Sequence, residues 1–71
     1  MSIRPSEDPI QFLTRLLGHA EKHLELAKKA LESKEFETLD FTLSVVISDC
    51  TTMRQYMNTL AERGIINKLK V

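Results

Sequence analysis

Apolar residues recur along this chain in two stripes of helical spacing. In the first, Ile10, Leu13, Leu17, Ala20, Leu24, Ala27 and Leu31 alternate steps of three and four residues. In the second, Phe36, Leu39, Leu43, Val46, Cys50, Met53, Met57 and Leu60 keep the same rhythm over about four heptads. Such steps return each side chain to one face of a helix, so each stripe has the form of an a/d seam laid along a partner helix. The spacing predicts helices over about 9–32 and 35–63. They cannot be one continuous helix. Leu31 to Phe36 is a step of five, and the first rhythm carried onward would bury Lys34 and Thr38. A tight turn at Glu32 to Glu35 therefore predicts an antiparallel αα-hairpin.

If Leu31 opposes Phe36, the numbers of paired residues add to about 67. Leu24 then meets Leu43, Leu17 meets Cys50 and Ile10 meets Met57, while Ala20 falls beside Val46 and Ala27 near Leu39. Small residues on one helix face larger ones on the other. Leu60 and Gly64 overhang the start of the first helix.

Terminal signals agree with these bounds. Asp8-Pro9 reads as an N-cap followed by proline at the first helical position, and residues 1–8 as an irregular lead-in. Ser33 is a candidate cap for the second helix, with Glu35 and Glu37 in its first turn. Gly64 suits the position just past a helix end, leaving residues 64–71 as a tail. Gly18 falls on the outer side of the first helix, where it is either a tolerated surface residue or a point of close helix approach. One stretch carries a competing signal. Phe41, Leu43, Val45 and Ile47 alternate with Thr42, Ser44, Val46 and Ser48, the period of a strand. In that alternative Asp49 caps a shorter helix ending at Arg63. The unbroken heptad phase favours the helix.

Composition narrows the class. The chain has 71 residues, 42% apolar and 28% charged, enough for one small globular domain. At this length only about 60% of the unfolded surface is buried, and oligomerisation is a common remedy. Net charge is zero, but residues 1–49 hold six Lys/Arg against nine Asp/Glu, and residues 50–71 hold four against one. The apolar residues also exceed what a single seam needs. Phe12, Leu16 and Leu26 flank the first seam, and Phe41, Val45, Ile47 and Tyr56 lie outside the second. Covering them with a second copy predicts a homodimeric four-helix bundle with these seven residues at the oligomer interface.

Candidates for chemistry are few. His19 and His23 stand at i, i+4 and share a helix face, but HAEKH lacks the zincin order, and the register places Asp49 opposite His19. The expectation there is a structural histidine pair without metal. Cys50 at a seam position predicts a small apolar core residue rather than a nucleophile. Ser48, Thr51 and Thr52 have no base placed to activate them. No apolar run reaches about 18 residues, and MSIRPSEDP has no apolar signal core, so a cytoplasmic protein is expected.

The segment TTMRQYMNTLAERGII resembles the third helix of winged helix-turn-helix DNA-binding domains. Thr52, Met53, Arg54, Tyr56, Met57, Leu60, Gly64, Ile65 and Ile66 carry the resemblance. It implies nucleic-acid contacts from Thr51, Thr52, Arg54, Gln55 and Asn58, with Lys68 and Lys70 contributing from the basic tail. The overall plan is similar to that of the Rop-like small dimeric hairpin proteins, in architecture rather than sequence. The expectation is a non-enzymatic, cofactor-free regulator or protein-protein interaction module, homodimeric and docking another protein. Nucleic-acid binding through the basic C-terminal third is the alternative.

Overall fold

The computed structural model describes residues 8–66. Two helices, α1 (Pro9–Glu32) and α2 (Phe36–Glu62), pack against each other as an antiparallel hairpin. Both the bounds and the hairpin agree with the sequence pattern; the lead-in before Asp8 and the tail beyond Ile66 lie outside the described residues.

The N-terminus of α1 and the C-termini of both helices are capped. The Asp8 carboxylate accepts from the Gln11 backbone N–H at 2.8 Å, and the Gln11 side-chain oxygen accepts from the Asp8 N–H at 3.3 Å. That reciprocal pair is a capping box, with Pro9 in the first turn where no amide donor is needed. The C-terminus of α1 closes with Glu35 N–H on Ala30 C=O at 2.8 Å and Lys34 N–H on Leu31 C=O at 3.1 Å. This is a Schellman motif, and it places Lys34 in the left-handed region at φ 59°. The same motif ends α2, from Ile65 to Leu60 and from Gly64 to Ala61, with Gly64 at φ 73° in the position its sequence predicts. Ser33 caps the end of α1; the N-cap of α2 is Glu35, which makes no side-chain capping bond.

Residues 41–48 are helical throughout, despite their alternating, β-branched composition. Their hydroxyls turn back onto the helix. Thr42 Oγ1 donates to the carbonyls of Thr38 and Leu39 at 3.0 Å, and Ser44 Oγ donates to Phe41 C=O at 2.7 Å. Thr42 is thereby buried without an unsatisfied group.

The hairpin register is as expected, but the helices are rotated about their axes. Phe12 meets Tyr56 edge-on at 4.6 Å and His19 meets Asp49 at 2.6 Å, two pairs whose numbers each add to 68. Yet the buried residues are Phe12, Leu16, Ala20, Ala27 and Ala30 on α1, and Thr42, Asp49 and Leu60 on α2. Ile10, Leu17, Leu24, Leu31, Phe36, Leu43 and Cys50, expected inside, are exposed. The α1 side of this interior is built largely of alanines, Ala20, Ala27 and Ala30, and small side chains favour close approach of packed helices. The molecule is a slab of 45 × 29 × 14 Å, one helix thick.

Candidate interaction face

Rotation of the two helices turns the large side chains of the predicted seams toward one open side, while Ala20, Ala27 and Leu60 of the same seams stay buried. Taking Phe12 and Thr42 as facing inward, helical phase puts Leu13, Leu17, Leu24 and Leu31 on one flank of α1. Leu39, Leu43, Cys50 and Met57 fall on the matching flank of α2. Because the helices run antiparallel, both flanks open on the same broad side. A groove of about 440 Å³ lined by Glu21, Leu24, Ala27, Lys28 and Leu31 of α1 and Leu39 of α2 shows the juxtaposition directly.

The face is large for so small a chain. Ile10 is 71% exposed, Phe36 61%, Leu31 56% and Leu17 53%. With Leu24 and Leu43 these side chains leave roughly 600 Å² of apolar surface uncovered, the upper end of what a monomer's largest patch shows. Its rim holds both signs of charge, with Glu21 and Lys28 beside the α1 stripe and Asp40 and Arg54 beside the α2 stripe.

The seven residues expected at an oligomer interface are dispersed by the rotation. Phe12 and Leu16 are buried between the helices of one chain, and Val45 and Tyr56 are half-buried there. Arg15 lies over the outer side of this layer, 5.4 Å from the Phe12 ring centre. Leu26, Phe41 and Ile47 are exposed; Leu26 borders a second, smaller groove of about 230 Å³ on the opposite side, with Ala30, Thr38 and Thr42. The sequence held the signal for the open face in its two strongest stripes. Of those stripes Ala20, Ala27 and Leu60 do face the hairpin's interior, whereas Leu17, Leu24, Leu31 and Leu43 do not.

The nucleic-acid alternative required a helix and tight turn before residue 51. Instead α2 runs unbroken from Phe36 to Glu62 through Asp49, so among the described residues the helix-turn-helix arrangement is absent. Arg54, Gln55 and Asn58 are exposed and Thr52 is half-buried, whereas Lys68 and Lys70 lie outside the described residues.

Across the hairpin, His19 Nδ1 is hydrogen-bonded to Asp49 Oδ2 at 2.6 Å, the contact the register predicts. Asp49 is buried, with its side chain 11% exposed, and the His19 side chain is 41% exposed. His23 Nδ1 contacts the His19 carbonyl at 3.0 Å. The two imidazole ring centres are 4.4 Å apart. No group of three or more His, Cys, Asp or Glu is gathered to hold a metal ion among the described residues. No helix among them is long and apolar enough to cross a membrane. Neither protein-family models, curated proteins nor solved structures provide a match to this chain.

Proposed function

We propose that the protein is a non-enzymatic interaction module that acts as a homodimer, two hairpins stacking their Leu/Phe faces into a four-helix bundle. The observation that carries this is the meeting of two a/d stripes on one open face of a slab one helix thick. Helical domains are stable when an apolar stripe is buried against a second layer, and the described residues supply one layer. The stripe has the three-four spacing of helix-on-helix packing, so helices suit it better than an irregular surface does. A second copy offers the same spacing. The mixed-sign rim suits a self-complementary contact rather than a strongly acidic or basic partner. Half-buried Leu13, Leu39, Val46 and Met57 extend the surface that a partner would cover toward the size of a stable interface.

Sedimentation equilibrium tests the proposal. The wild-type chain should sediment near twice its 8.2 kDa mass, and Leu17→Glu with Leu43→Glu should give a helical monomer. A wild-type monomer at high micromolar concentration, or a dimer that survives both substitutions, would refute it. If Phe41→Glu breaks the dimer while the double variant does not, the opposite face is the interface.

A further inference from the structure

We propose that His19 and His23 form a binding site for a divalent late-transition-metal ion, with Asp49 as the positioning residue. The hydrogen bonds assign the ring protons. Asp49 as a carboxylate and the His19 carbonyl can only accept, so Nδ1 of each ring carries the proton and donates. In the neutral imidazoles the free lone pairs are then on Nε2, one from each ring. One helical turn of separation holds the ring centres 4.4 Å apart with planes at 50°. Two imidazoles bound at about 2.0–2.1 Å in adjacent coordination positions hold their ring centres roughly 4.5–5 Å apart, a separation close to the one between these rings.

The Asp49–His19 pair adds what a surface i, i+4 pair on an isolated helix lacks. Metal-ligating histidines characteristically donate their other ring N–H to a carboxylate or a backbone carbonyl, which fixes the tautomer and the ring orientation. Here both devices are present, one per ring, and the carboxylate comes from the opposite helix. Imidazole nitrogen suits Zn²⁺, Ni²⁺ and Cu²⁺. With two protein ligands the remaining positions fall to water, and an ion bound there would fasten α1 at the layer where it meets α2. The site is independent of the Leu/Phe face, so neither proposal depends on the other.

Calorimetric titration of the full chain with ZnCl₂ and with NiCl₂ tests it, in a Cys50→Ser background because that thiol is exposed and competes for the ion. The chain has two histidines in all, so imidazole-dependent binding has no other source. The expected result is one ion per chain, with His19→Gln and His23→Gln each weakening binding at least tenfold. Asp49→Asn should weaken it about tenfold with helicity unchanged. Absence of binding at millimolar ion, or binding that survives either histidine substitution, would overturn the site. Should Asp49→Asn unfold the chain, nitrogen chemical shifts of the wild-type imidazoles decide the matter. Zn²⁺ must perturb Nε2 of both rings as a ligand; coordination through Nδ1 of His19 would overturn the assignment.

Discussion

Truncating Phe12 and truncating Leu17 should separate the hairpin's own core from its outer face. Phe12 is 2% exposed and lies edge-on against Tyr56 at 4.6 Å. Its replacement by alanine costs about 3–5 kcal/mol, from lost burial and the cavity left behind. A 71-residue domain has a total stability of roughly 4–10 kcal/mol, so Phe12→Ala should leave a substantial unfolded population. Leu17 is 53% exposed in the single chain. Half its side chain has nothing to lose there, and Leu17→Ala should cost the monomer about 1 kcal/mol or less. In a dimer Leu17 becomes covered, and its loss then appears as weaker association. Urea unfolding followed by circular dichroism over a hundredfold range of protein concentration distinguishes the two. Phe12→Ala should lower the midpoint at every concentration. Leu17→Ala should lower it chiefly at the high end, where association stabilises the folded chain by mass action. If Leu17→Ala costs more than Phe12→Ala at the lowest concentration, the leucine stripe is the hairpin's interior and the rotation described here is wrong.

Gly18→Ala should raise stability by about 0.8–1 kcal/mol, since a Cβ there meets nothing within 4 Å; a loss in thermal denaturation would mean that another helix packs against it. Lys34→Gly should raise it by up to about 1 kcal/mol by relieving the left-handed conformation at φ 59°, and an unchanged melting temperature would show that the turn holds no such strain. Asp49→Ala should cost about 1–2 kcal/mol, the part-exposed His19 limiting the contribution of the contact; a double-mutant cycle with His19→Ala that gives no coupling would show that the pair contributes nothing to folding.

Which parts of this architecture were legible in the sequence follows from what each signal measures. Helix bounds were written in local chemistry: Asp8-Pro9 at one end, Gly64 at the other, and a phase step between Leu31 and Phe36. Axial register came from turn length, which fixes which residues stand opposite, and it anticipated His19 beside Asp49. Rotation about the helix axis is different. Periodicity locates an apolar stripe but not the body that covers it, and the larger side chains drew the expectation toward Leu17 and Leu24. Ala20 and Ala27 stand in the predicted seam and are buried, but alanines give a weak hydrophobic signal and do not outweigh the leucines in setting the expected rotation. The strand-like alternation at residues 41–48 competed with the helical phase, and the helix prevailed. Local preference cannot register the carbonyls that Thr42 and Ser44 find within their own helix.

The rotation also explains why the chain carries more apolar residues than one hairpin requires. Each helix has two adjacent seams rather than one. On α1 the inward seam runs through Phe12, Leu16, Ala20, Ala27 and Ala30, and the outward seam through Leu13, Leu17, Leu24 and Leu31. On α2 the inward seam includes Thr42, Asp49, Tyr56 and Leu60, and the outward one Phe36, Leu39, Leu43 and Met57. The seams on α1 are displaced by about one residue, which widens the apolar arc beyond the narrow a/d stripe of a two-stranded coil. A helix in a two-helix hairpin touches one neighbour and needs only the inward seam. A helix in a four-helix bundle touches two and needs both. The polar members of the inward seam, Thr42 and the Asp49–His19 pair, share the interior with buried Phe12 and Leu16, so pairing within the hairpin rests on polar contacts as well as apolar burial. If two hairpins associate as proposed, the outward seam contributes little to folding one chain and much to joining two, and stability should then depend on concentration.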